Sequence, residues 1–330
     1  MPAHPSADVP FVSTGRLPPS DAVRDLLAEA HARFRADDSG ENSAVYPALG
    51  RVPSHLFGIC LVGVDGRVYE VGDASRGFTV MSVSKPFVFA LLCEALGPDV
   101  LRDAVGVNAT GRPFNSVEAV ERGPDGRTNP MVNSGAIATT SLTPGATVDE
   151  RWAFLHAGLS RFAGRELRVD EEVYGCASAT NARNQGLARL LQSYGRLTGD
   201  PAEAVDLYTR QCSLTVTARD LAVMGATLAD GGVNPVTRDR VVDPRVCHYT
   251  LAVMATAGNY ETSGDWLFDV GLPGKSGIGG GMVTVSPGKG GLGTFSPRLD
   301  PAGNSVRGRR AAEFLSHRLG LDLFVSKPDG

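Results

Sequence analysis

Lysine is nearly absent from this chain: of thirty-two basic residues only Lys85, Lys275, Lys289 and Lys327 are not arginine. Long apolar runs are missing too, and none reaches the roughly 18 residues a membrane span requires. The opening stretch MPAHPSADVPFVSTGRLPPS is polar and proline-rich. It lacks the apolar centre of a signal peptide, so a disordered lead-in over residues 1–20 and cytoplasmic residence are expected. The five cysteines (Cys60, Cys93, Cys176, Cys212, Cys247) show no C-x-x-C spacing. That fits reduced thiols rather than a disulfide framework. The six histidines form no H-E-x-x-H or similar pattern, so a metal is not expected. A net charge of -4 argues against a nucleic-acid or membrane-binding surface.

What is present is enough for a large core: 330 residues, 42% of them hydrophobic, in one big domain or two coupled ones. DAVRDLLAEAHARFRA (21–36) has the apolar spacing of an amphipathic helix. FGICLVGVDGRVYEVGD (57–73) reads as a hairpin turning at Asp65-Gly66. FTVMSVSKPFVFALLCEALGP (78–98) begins as strand and becomes a buried helix that stops at Gly97-Pro98. The middle is helical in pattern, notably over 147–164, 181–195 and 217–232. Strand signals return at WLFDVGL (266–272), GGMVTVSPG (280–288) and GLGTFSP (291–297), before a closing helix over 311–320. Strands at both ends with helices between predict a sheet domain from 21–98 and 257–330, and a helical domain inserted over 99–256.

Two of the four lysines stand in chemically suggestive contexts. Ser82-Val83-Ser84-Lys85 is an S-x-x-K, and Lys275-Ser276-Gly277 lies 190 residues further on. Penicillin-recognising serine hydrolases use the same chain order. On a helix, residues i and i+3 share a face, so hydroxyl and amine are neighbours. A desolvated lysine near a second cation has its neutral form favoured and can take the serine proton, which guanidinium cannot do. A lone S-x-x-K is a weak signal; K-S-G before Gly279-Gly280-Gly281 strengthens it. GLPGKSG is not a phosphate loop, because Asp269 stands where that motif needs its first glycine.

Five collinear segments carry a more specific resemblance: SVSKPF (82–87), NPMVNSGAIATTS (129–141), DLYTRQCSLTVTARDLAVMGATLADGG (206–232), VGLPGKSGIGGG (270–281) and SPRLDPAGNSVRG (296–308). The chain resembles the serine-dependent, β-lactamase-like glutaminases from Val45-Tyr46-Pro47 to about residue 320. The resemblance implies an α+β fold of β-lactamase/transpeptidase type, with an antiparallel sheet flanked by helices and an inserted helical domain. It implies hydrolysis of L-glutamine to L-glutamate and ammonia, without cofactor, by a homodimer or homotetramer. Ser82 matches the nucleophile, Lys85 its base, and Tyr208 and Tyr260 two proton-transferring tyrosines, with Lys275 as supporting cation. Tyr46, Asn133 and Asn184 match substrate-binding positions. Ile278 stands where valine is usual, its main-chain N–H completing an oxyanion hole with that of Ser82.

Two departures bear on the substrate. Ala177 stands where the family usually has a glutamate that pairs with the substrate ammonium, and Met81 where glutamine precedes the nucleophile. Asn108-Ala109-Thr110-Gly111 replaces the usual E-P-S-G. Glu171 and Glu172 lie one to two helical turns upstream, and nothing in the sequence brings either to the pocket. Two alternatives stay open: the same chemistry on a carboxamide without a free α-amino group, and a weakly catalytic amino-acid-binding member. A β-lactamase or D,D-peptidase is disfavoured, because Tyr208 is followed by Thr209-Arg210 rather than by an Asn two residues on.

Overall fold

The computed structural model describes residues 15–325. Of the expected lead-in, residues 1–14 lie outside the described residues, and the first helix begins at Ser20.

Five antiparallel strands form the main sheet: β1 (Gly58–Gly63), β2 (Val68–Gly72), β3 (Gly274–Ser276), β4 (Gly281–Ser286) and β5 (Gly290–Phe295), in the spatial order β2-β1-β5-β4-β3. The β1–β2 turn falls where Asp65-Gly66 predicts it. Gly66 adopts φ +82, and the Asp65 carboxylate accepts the Arg67 N–H at 3.0 Å. Side chains alternate across a strand, and β1 shows the consequence. Ile59 and Leu61 pack with Val23 and Leu27 of helix Ser20–Phe34 and Leu315 of helix Val306–Leu319. Cys60 and Val62 face the larger core on the opposite side.

That opposite face is covered by helix Ala218–Ala229, which starts with a capping box between Thr217 and Asp220. Its approach is close because β5 presents glycines there. A Cβ on Gly293 would lie 2.0 Å from the Ala218 carbonyl oxygen, and one on Gly291 would lie 2.3 Å from that of Ala222. Helix Ser84–Leu96 has no polar face, and all its residues from Ser84 to Cys93 are buried. A helix apolar all round belongs in an interior. Helices Pro98–Val105, Asn133–Ser141, Val148–Ala163 and Pro244–Ala257 enclose it.

One expectation fails. WLFDVGL is not a strand: Ser263–Val270 is a helix, closed by Gly271 in the left-handed conformation at φ +71. Its β-prone side chains are arranged with helical spacing. Trp266 and Val270, four apart, are buried in the core, while Phe268 is 90% exposed. Among the described residues no helix is long and apolar enough to cross a membrane.

Candidate active site

The site is organised by one turn. Strand Phe78–Thr79 pairs with Leu214–Val216, and the Val80 N–H continues that contact to the Leu214 carbonyl at 2.8 Å. The chain then makes a single 3-10 turn, Met81–Val83, and runs directly into helix Ser84–Leu96. Met81 takes φ +47, a left-handed conformation costing a non-glycine residue about 1–2 kcal/mol. The Ser84 hydroxyl and N–H both bond the Met81 carbonyl and hold it there. Ser82 therefore sits at the mouth of a helix, where the first N–H groups lack intrahelical partners. Neither the Ser82 nor the Ile278 N–H has a main-chain partner among the described residues. The two are brought together by glycine. A Cβ on Gly277 would lie 3.2 Å from the Ser82 nitrogen, and one on Gly279 would lie 2.5 Å from the Thr79 carbonyl oxygen. Only a loop without side chains at those positions can lie so close to the serine turn.

Both site lysines are sealed from solvent, Lys85 at 1% exposure and Lys275 at 0%. Burial lowers Lys85 to a pKa of about 7, opposed in part by the nearby Cys212 thiol. Burial likewise takes Lys275, on the edge strand β3, well below its usual value, and the neighbouring Lys85 pushes it further down. The Lys275 Nζ donates to the Ser276 carbonyl at 2.8 Å and lies 3.9 Å from the centroid of the Tyr260 ring. Lys85 reaches the same ring from 5.6 Å, so Tyr260 lies close to both amines. Tyr260 also has a left-handed backbone, φ +57. Burial raises its phenol far above the ordinary range, partly offset by hydrogen bonding with the Ser82 hydroxyl.

A chain of side-chain amides leads outward from Lys85. The Asn133 Oδ1 accepts from the Lys85 Nζ at 2.8 Å and from the Tyr208 hydroxyl at 3.1 Å. The Asn133 Nδ2 donates to Asn184 Oδ1 at 3.1 Å, and the Asn184 Nδ2 to Asn181 Oδ1 at 2.8 Å. The Asn181 Nδ2 ends the series on the Thr209 hydroxyl at 2.6 Å, which donates to the Val205 carbonyl. Each amide orientation is fixed by the next. Tyr208 is buried on helix Pro201–Cys212, and burial holds its phenol well above the usual value.

A cavity of about 240 Å³ opens over this arrangement. Tyr46, Ser82, Asn133, Asn184, Tyr208 and Ile278 line it, together with Met81 and Ala177. Lys85, Tyr260 and Lys275 stand behind its wall, joined to it through Asn133 and Ser82. Tyr46 precedes the short helix Pro47–Gly50, and burial raises its phenol to about 12. Neither upstream glutamate replaces the carboxylate missing at Ala177: both lie outside the lining, and Glu172 is paired with Arg51. Phe114, Asn115, Thr180, Asn181, Arg183 and Cys212 also face the cavity and escaped the sequence reading. Two of them had a legible signal. Cys212 follows Tyr208 by four residues on one helix, and Asn181 precedes Asn184 by three. Among the described residues no three His, Cys, Asp or Glu side chains cluster as metal ligands would.

Comparison with known proteins places the chain in a family. The sequence model of the glutaminase family matches residues 40–324. Glutaminase 2 of Yersinia pestis is 67% identical over 97% of this chain and 94% of its own. The glutaminase of Colwellia psychrerythraea is 45% identical over 94% of this chain and 99% of its own. Among solved structures, the probable glutaminase ybaS superposes with a TM-score of 0.92 at 42% identity, covering 93% of this chain and 99% of its own. A Bacillus glutaminase gives 0.84 at 30% identity, covering 92% and 100%. The chain is a member of the glutaminase family, amide hydrolases with a β-lactamase-like α+β fold. Its reaction is accordingly the hydrolysis of glutamine.

Proposed function

We propose that the cavity hydrolyses the side-chain carboxamide of L-glutamine through an acyl-enzyme on Ser82. Neutral Lys85 takes the Ser82 proton as the oxygen attacks the amide carbon. The carbonyl electron pair moves to oxygen, which the Ser82 and Ile278 N–H groups receive. Tyr260, close to both lysines and hydrogen-bonded with Ser82, passes the proton held by Lys85 to the leaving nitrogen as the C–N bond breaks. Ammonia departs, leaving a Ser82 ester. Water then attacks that ester with Lys85 again as base, and L-glutamate and free Ser82 result. Tyr208 holds Asn133 in register with Lys85, and Tyr46, Asn133 and Asn184 bind substrate along the wall. Lys275, itself pushed toward its neutral form by burial and by Lys85, supports the Tyr260 ring from 3.9 Å while donating to the Ser276 carbonyl.

One observation carries the reading: a fully buried lysine with a pKa of about 7 lies one turn beyond a serine at a helix mouth. A general base works best when its pKa is near the operating pH. The test is partition to hydroxylamine, which an acyl-enzyme converts to the γ-glutamyl hydroxamate in competition with water. Hydroxamate formation is expected, with Ser82→Ala losing at least about a thousandfold in ammonia release. Near-normal turnover by Ser82→Ala would overturn the assignment. The reading extends to a cytoplasmic homodimer or homotetramer. It is supported by five free cysteines and by the exposed apolar side chains of Phe268 and Phe324.

A further inference from the structure

We infer that this cavity accepts ω-carboxamide acids whose α-position carries no positive charge, N-acylated glutamine among them, at least as well as glutamine itself. The inference rests on the cavity being the amide-hydrolysing centre proposed above. Its basis is the charge of the wall. Among the described residues no carboxylate lines the cavity, and the one formally charged lining residue is Arg183. Two nearby acids are engaged elsewhere, Glu172 with Arg51, and Asp206 with Arg210 and the Tyr174 hydroxyl, and Glu171 lies outside the lining. An ammonium entering here meets the Arg183 guanidinium and no counter-ion. A carboxylate does have a partner. The Arg183 Nε donates to the Asn115 carbonyl at 2.9 Å, which orients the guanidinium, and among the described residues no acid pairs with it. Its terminal N–H groups are thus available for bidentate contact with a carboxylate.

Apolar residues share the rest of the wall with neutral amides and hydroxyls. Val45, Met81, Phe114, Ala177 and Ile278 contribute carbon surface to the cavity, with Ala177 only 3% exposed. An acyl group on the α-nitrogen removes the positive charge and offers matching apolar surface. Replacing a charged substituent by a neutral one relieves the site of an ion it has no group to neutralise.

The experiment compares ammonia release from L-glutamine, glutaramate and N-acetyl-L-glutamine by the wild-type enzyme and by Ala177→Glu. Wild type is expected to show kcat/KM for glutaramate and N-acetyl-L-glutamine at least equal to that for glutamine. Ala177→Glu is expected to shift the ratio toward glutamine by about tenfold or more. Should the buried glutamate prevent folding, Arg183→Gln serves instead, lowering kcat/KM for all three carboxylates alike. A wild-type enzyme that favours glutamine over both amides lacking an ammonium overturns the inference while leaving the acyl-enzyme intact. Ammonia from none of the three sinks the acyl-enzyme reading, and this one with it.

Discussion

The Asn133 Oδ1 lies 2.8 Å from the Lys85 Nζ, so the amine of the proposed base is held by a neutral acceptor rather than by a carboxylate. A neutral partner orients the amine without stabilising its charged form, and burial is left to set a pKa of about 7. Asn133→Asp inverts that arrangement. A carboxylate at this distance favours the ammonium, so the acid limb of the pH–kcat/KM profile is expected to move up by at least about one unit. Activity at neutral pH falls accordingly. A profile for the Asn133→Asp enzyme that keeps its midpoint near 7 would remove Lys85 as the titrating base.

Burying Lys85 should also carry a stability penalty with a defined pH dependence. Its folded pKa is about 7 against an ordinary 10.5, so between those values the unfolded chain binds the extra proton. Stability attributable to this residue therefore rises with pH across that window, by about 1.4 kcal/mol per unit, and is flat below it. Lys85→Met, which keeps the volume and has no charge to bury, is expected to abolish ammonia release and raise Tm. Its advantage over wild type should shrink from about pH 7 toward pH 10 in urea titrations. A pH-independent difference would contradict the buried titration.

Two glycines offer a contrast of opposite sign. On Gly293 of β5 an added methyl would sit 2.0 Å from the Ala218 carbonyl oxygen, whereas on Gly186 of helix Ala182–Ser193 it would meet nothing within 4 Å. Gly293→Ala is expected to destabilise by about 3 kcal/mol through overpacking of helix against sheet. Gly186→Ala is expected to stabilise by about 0.5–1 kcal/mol through helix propensity and a less flexible unfolded chain. Chemical denaturation of both variants checks the pair.

The serine turn, the hairpin and the capped helices were legible because their signals are local. S-x-x-K, Asp65-Gly66, and a helix ending in glycine each need only a few neighbouring residues. Ser263–Val270 misleads because Trp, Phe and Val favour strands by composition, while the burial of Trp266 and Val270 follows helical spacing. Phe114, Asn115 and Arg183 went unseen for another reason: their meaning depends on which helices meet around the cavity. The departure at Ala177 was legible, but its consequence was not. That neither Glu171 nor Glu172 compensates follows from where the chain puts them, and the pairing of Glu172 with Arg51, 121 residues distant, is not written in any short stretch.

The seclusion of both site lysines has a practical corollary. Reagents that acylate amines from solvent find Lys289 partly accessible, while Lys85 and Lys275 have essentially no surface to offer. Their acylation requires the core around helix Ser84–Leu96 to open. In a chain this poor in lysine, modification of either position becomes a covalent record of how often the centre of the fold comes apart, readable by peptide mass without any added probe.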